Sequence, residues 1–129
     1  MITADQILAH GIGDYILQSD WMATEKTKRS VVALVHAGTY TLVFLYFTRM
    51  PLPLLIIFGT HFAIDRWRLS RYLVWAKNFM APPGWNKPWA QCAATGYPPD
   101  RPTWLTVWLL IVVDNVMHVL CNGLALSLV

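Results

Sequence analysis

The chain has 129 residues, 56% of them hydrophobic and only 13% charged, with a formal net charge of +3. A soluble domain must cover its surface with polar groups, which this balance does not supply, and the length fits one domain over residues 1–129. The Lys and Arg residues gather near the ends of apolar stretches. That placement suits anchoring and topology setting at a membrane, so a nucleic-acid partner is not expected. Cys92 and Cys121 lack CxxC spacing and imply neither a disulfide framework nor a zinc knuckle.

The run Thr3-Ala4-Asp5-Gln6 fits a capping box, with Thr3 as N-cap. It predicts a first helix reaching about Gln18 or Trp21. His10 and Asp14 lie inside that helix, and Gly11 and Gly13 permit close approach of a neighbour. The acidic residues Asp5, Asp14 and Asp20, with no Lys or Arg before Lys26, argue against a secretory signal peptide. After the charged turn from Glu25 to Arg29, Val31 to Thr48 gives 18 residues without formal charge, near a spanning length. Arg49 to Pro53 marks a turn, and a third helix is expected from Leu54 past His61 and Asp65.

Arg66 to Lys77 is basic and aromatic, and is expected to continue the third helix along the headgroup surface. Ala81 to Pro102 holds six prolines and two glycines, which predicts an interfacial loop carrying Trp85 and Trp89. From Thr103 onward the only formal charge is Asp114, and a fourth helix is expected there. The expected fold is therefore all-α: a polytopic membrane bundle of four transmembrane helices with a Pro/Trp-rich interfacial loop. The positive-inside rule puts the basic loops in the cytoplasm and both termini outside.

Three of the four histidines have an aspartate four residues away: His10–Asp14, His61–Asp65 and Asp114–His118. Residues four apart share a helix face, and random placement gives roughly 0.4 such pairs. His36 lies in the second helix at a comparable expected depth. A carboxylate at membrane depth is costly unless paired, hydrated or bound to a cation. His10, Asp14, His36, His61, Asp65, Asp114 and His118 are therefore candidate metal ligands. Mixed imidazole and carboxylate donors suit zinc best, then manganese or iron, and seven donors suit two or more ions. Gln18, Tyr40 and Asn122 each follow a candidate ligand by four and are read as orienting the set. A His–Asp network that only packs helices, or one that conducts protons or ions, remains an alternative.

HGIGDYILQSDWM, ALVHAGTY, HFAIDRWR and CAATGYP…WLLIVVDNVMHVLCN resemble, in the same order, a family of uncharacterised small membrane proteins of bacteria and their phages. The resemblance implies the bacterial inner (cytoplasmic) membrane. More distantly, the arrangement is similar to inner-membrane metal-dependent hydrolases and, through them, to zinc-dependent phospholipase C and P1-type nucleases. That likeness implies the same seven ligands. The last pair is reversed, as Asp-x-x-x-His, and the soluble enzymes' N-terminal tryptophan ligand is absent.

The expected activity is metal-dependent hydrolysis of a phosphate ester or lipid-linked phosphate, with Arg66, Arg68 and Arg71 drawing the phosphate or a lipid headgroup. The alternative is a non-enzymatic membrane interaction protein or an ion-conducting one. Membrane lipids are expected partners, and a homodimer fits short helices around a polar centre.

Overall fold

The computed structural model describes residues 2–129. Among them every regular element is helical. They form two compact units, one running through Arg68 and resuming at Met117–Val129, the other covering Leu69–Val116.

In the first unit, α1 (Ala4–Gly11) opens with the expected capping box: Thr3 Oγ1 accepts from Gln6 N, and Gln6 Oε1 accepts from Thr3 N, both at 3.3 Å. The expected helix to Gln18 does not continue regularly. Ile12–Ile16 is a π-helical turn, closed by Leu17 N donating to Ile12 O at 3.0 Å. A new helix, α2 (Asp20–Glu25), then starts on Ser19, whose hydroxyl accepts from Met22 N. Such π turns concentrate at functional positions because they rotate side chains out of ordinary helical register. Asp14 sits inside this one.

The second expected helix is α3 (Ser30–Val43), extended by a 3₁₀ turn over Phe44–Tyr46. The third, α4 (Pro51–Trp67), begins earlier than expected. Proline is tolerated in a first helical turn because its missing N–H would lack a partner there anyway. It also ends earlier, since Arg68 takes a left-handed conformation (φ 52°) and stops the helix. Arg66 to Lys77 is thus not one continuous helix. The core of the unit is Ala9, Tyr40, Phe44, Ile57 and Ala125.

In the second unit, α5 (Ser70–Lys77) is followed by a 3₁₀ turn over Asn78–Met80, the short α6 (Trp89–Cys92) and an irregular proline-rich segment. Hydrogen bonds tie the segment to α5 and to the turn that follows it. Arg71 donates to Ala93 O, Trp75 Nε1 to Lys87 O at 2.9 Å, and Asn78 Nδ2 to Gly96 O at 3.3 Å. Gly96 has φ 85°, and a Cβ there would also run into Val74 at 2.8 Å. Arg101 caps the face of Trp85 at 4.1 Å, a cation–π contact.

α7 (Thr103–Leu126) is shared between the units by sequence and matches the fourth expected helix. It alone among the described residues is both long and apolar enough to cross a membrane. Ser30–Tyr46 is apolar but shorter. The expectation of four spanning helices is therefore not supported. The π turn cuts the first stretch, the 3₁₀ turn at Phe44 ends the second, and α4 carries Asp65 and Arg66 in its last turn.

Candidate metal centre

The buried stripe of α3 reads Val32, Ala33, His36, Ala37 and Tyr40, and that of α4 reads Pro53, Ile57, His61, Ile64 and Asp65. These are helical spacings of three and four, so the imidazoles and the carboxylate occupy core positions among apolar neighbours. In α1 and the π turn the buried positions are Gln6, Ala9, His10, Gly13 and Asp14. Gly13 makes the close approach possible, because a Cβ at that position would meet the Tyr40 ring at Cε2 only 2.9 Å away.

Four side chains converge: Asp14, His36, His61 and Asp65, all buried, with one ligand atom of each within 4.8 Å of every other. His36 Nε2 lies 3.2 Å from Asp14 Oδ1 and 3.2 Å from Asp65 Oδ2. His61 Nε2 lies 3.4 Å and 3.1 Å from the same two oxygens. The two Nε2 atoms are 3.0 Å apart. Donors held about 2.0–2.1 Å from a tetrahedral zinc stand about 3.3 Å from one another, so the observed separations fit the edges of such a polyhedron. The Nδ1 atoms of His36 and His61 are buried without a hydrogen-bond partner, so each ring's polar interactions pass through Nε2.

Two further candidates, His10 and His118, lie beside these four. His10 Nδ1 is 2.9 Å from the Tyr40 hydroxyl and 3.5 Å from Asp14 Oδ2. His118 Nε2 is 3.7 Å from Asp65 Oδ1, and its ring centroid is 4.3 Å from that of His61. Both carboxylates thus turn one oxygen to His36 and His61 and the other to a further imidazole. Six of the seven expected ligands therefore gather in the first unit. The seventh, Asp114, belongs to the part of α7 in the second unit, where it accepts a hydrogen bond from Ser70 Oγ.

The three residues expected to orient the set each have a visible contact. Gln18 Nε2 donates to Asp14 O at 3.0 Å, satisfying a carbonyl of the π turn. Asn122 Nδ2 donates to the Tyr40 hydroxyl at 2.5 Å, the same hydroxyl that lies beside His10 Nδ1. The Tyr40 ring stacks on His61 at 3.7 Å between centroids. Of the expected phosphate-binding arginines, Arg66 donates to Thr27 O at 2.8 Å and to Ser30 Oγ at 3.0 Å, holding the turn before α3. Arg71 is engaged with Ala93 O, and Arg68 forms the left-handed end of α4.

One residue of the site is not singled out by the sequence. Lys26, at the end of α2, reaches in to place Nζ 2.8 Å from Asp65 Oδ2 and 3.3 Å from His36 Nε2. Its neighbour Lys28 instead pairs with Glu25 at the surface, at 3.1 Å. Nothing in the local spelling separates the two lysines. With neutral imidazoles, Asp14, Asp65 and Lys26 leave the centre at a net charge of −1. A buried net charge is costly, and a bound cation or a protonated imidazole would offset it.

Cys92 and Cys121 are free thiols. Burial pushes the Cys92 thiol above its ordinary range, which disfavours the thiolate.

The fold and site define an all-α protein with a buried histidine–aspartate centre suited to a metal ion. The chain belongs to the family described as "Protein of unknown function (DUF3307)", which matches residues 2–125. No curated protein and no solved structure matches the chain.

Proposed function

We propose that this protein is a membrane-embedded, metal-dependent hydrolase acting on a phosphate ester or lipid-linked phosphate. The observation that carries the reading is a pair of imidazole nitrogens 3.0 Å apart, each 3.1–3.4 Å from the same two carboxylate oxygens, in a centre that is net negative when the imidazoles are neutral. Zinc suits that donor set best, followed by manganese or iron. Four protein donors close a tetrahedron, so hydrolysis requires a fifth position or a second ion. The second oxygens of Asp14 and Asp65 lie beside His10 and His118, and these residues would supply the donors for a further ion. A metal held there would acidify water and stabilise negative charge on phosphoryl oxygens. The protein's own part is to hold both carboxylates ionised, keep the imidazole Nε2 atoms turned inward, and fix them through Tyr40, Gln18 and Asn122.

Membrane embedding is supported by the polarity of the surfaces. α3 and α4 bury their ionisable residues and expose Leu34, Val35, Leu42, Leu52 and Leu55. α7 exposes Trp104, Trp108, Val112, Val116, Leu120 and Leu124. An apolar exterior around a polar interior reverses the soluble pattern and matches the interior placement of ionisable groups in membrane proteins. In this reading α7 crosses the bacterial inner membrane and the basic segments face the cytoplasm.

The reading is tested with full-length protein in lipid nanodiscs and a chromogenic phosphodiester. Hydrolysis that disappears with chelator and returns with zinc supports it. Hydrolysis that persists in metal-free protein refutes it. A second reading, a packing network without metal, is favoured by the Lys26–Asp65 ion pair, which already supplies one cation. It requires that the purified chain hold no metal at all.

A further inference from the structure

Three features place Lys26 apart from the other basic residues of the first unit. Its ammonium touches Asp65 Oδ2, the same oxygen that forms a corner of the four-donor set. Its side chain is 15% exposed against 4% for Asp65, so it approaches the centre from the more open side. The other cations with defined contacts nearby are engaged elsewhere, Arg66 with Thr27 and Ser30, Lys28 with Glu25.

An ammonium and a divalent ion on one carboxylate oxygen repel each other, and a lysine stem with four rotatable carbons can withdraw while its charge stays close. We propose that Lys26 links cation and anion binding at this centre: it is the counter-ion of Asp65 until a divalent ion takes that oxygen, and its released ammonium then binds a phosphate oxygen of the substrate. The inference rests on the metal-centre reading and adds a named substrate-binding residue to it. It assigns the anion-binding role to Lys26 rather than to Arg66 or Arg71. Both arginines donate to main-chain carbonyls, and moving either one would break a contact that holds a turn or loop.

The test uses the detergent-solubilised full chain, titrated calorimetrically with zinc and then, once zinc-loaded, with inorganic phosphate. Lys26→Gln is expected to bind zinc about tenfold more tightly, because a competing charge is gone. The same zinc-loaded variant is expected to bind phosphate at least about tenfold more weakly. Lys26→Arg keeps the charge and is expected to hold phosphate within a few-fold of wild type. Equal zinc affinity in wild type and Lys26→Gln overturns the competition. Unchanged phosphate affinity in zinc-loaded Lys26→Gln overturns the anion role. Loss of zinc from Lys26→Gln with helical circular dichroism intact makes Lys26 a support of the site and also overturns the proposal. If Lys26→Gln does not fold, Lys26→Arg decides: phosphate binding reduced more than about tenfold rejects the anion role. A wild-type chain that takes no zinc defeats the metal centre itself, whereas zinc binding with silent Lys26 variants defeats this inference alone.

Discussion

His36 and His61 meet through their Nε2 atoms at 3.0 Å, each delivered from the core stripe of a different helix and each flanked by the same two carboxylates. Two neutral imidazoles in that position can share only one hydrogen bond, while both carboxylates also face them. Four acceptor-rich atoms aimed at one point make a poor hydrogen-bond network and a good ligand set.

Removing either imidazole is therefore expected to weaken metal binding strongly. Structural zinc sites gain roughly 10–16 kcal/mol from four ligands, which leaves about 3 kcal/mol for each. His61→Ala is expected to lose about a hundredfold or more in zinc affinity, read by competition with a chromogenic chelator. Equal affinity in wild type and variant would exclude His61 as a ligand.

The two glycines of the first helical stretch should respond in opposite directions. Gly11 has open space where a Cβ would stand, and Ala there is expected to raise stability by up to about 1 kcal/mol through helix propensity. Gly13 lies against the Tyr40 ring, and Gly13→Ala is expected to cost about 1–3 kcal/mol by overpacking. Chemical denaturation of both variants in detergent gives the comparison. A Gly13→Ala protein as stable as wild type would remove the close approach of the π turn to α3.

Tyr40 joins His10 to Asn122 through one hydroxyl. Tyr40→Phe leaves the buried Asn122 amide without that acceptor, at an expected cost of about 1–3 kcal/mol. Adding Asn122→Leu is expected to recover part of the loss, because the orphaned donor is then gone. Strict additivity of the two substitutions in denaturation midpoints would deny the connection.

How much of this was legible in the sequence depended on whether a signal was local. The four-residue spacing of His10–Asp14 and His61–Asp65 put each pair on one helix face, and the structure indeed gathers them with His36. Thr3 and Gln6 spelled out their own cap. The π turn had no such spelling. Gly11 and Gly13 announced close packing without saying that the helix would widen around Asp14. Ser19 capped α2 without the Glu or Gln three residues later that advertises a capping box, since Met22 stands there. Arg68 ended α4 in a conformation usually reserved for glycine, so the break was invisible. Lys26 entered the site through tertiary geometry alone, from a turn that read as an ordinary charged surface. Asp114, read with the others by its spacing to His118, accepts a hydrogen bond from Ser70.

If α7 crosses lipid, its exposed apolar face must remain uncharged. Val112 is exposed near the middle of the helix. A charge at the centre of a spanning helix costs about 2.5–3.5 kcal/mol on insertion scales. Val112→Arg is expected to reduce the fraction of protein that stays in the membrane pellet after an alkaline wash. A variant that pellets as wild type does would place this face away from lipid.

The central claim is that the buried His/Asp centre holds a metal. Elemental analysis of the detergent-purified chain, alongside the double variant His61→Ala/Asp65→Ala, measures it directly. The account predicts at least one equivalent of a transition metal, zinc foremost, in wild type, and its loss from a double variant that keeps its helical circular dichroism. A wild-type chain with no more metal than the variant would contradict it.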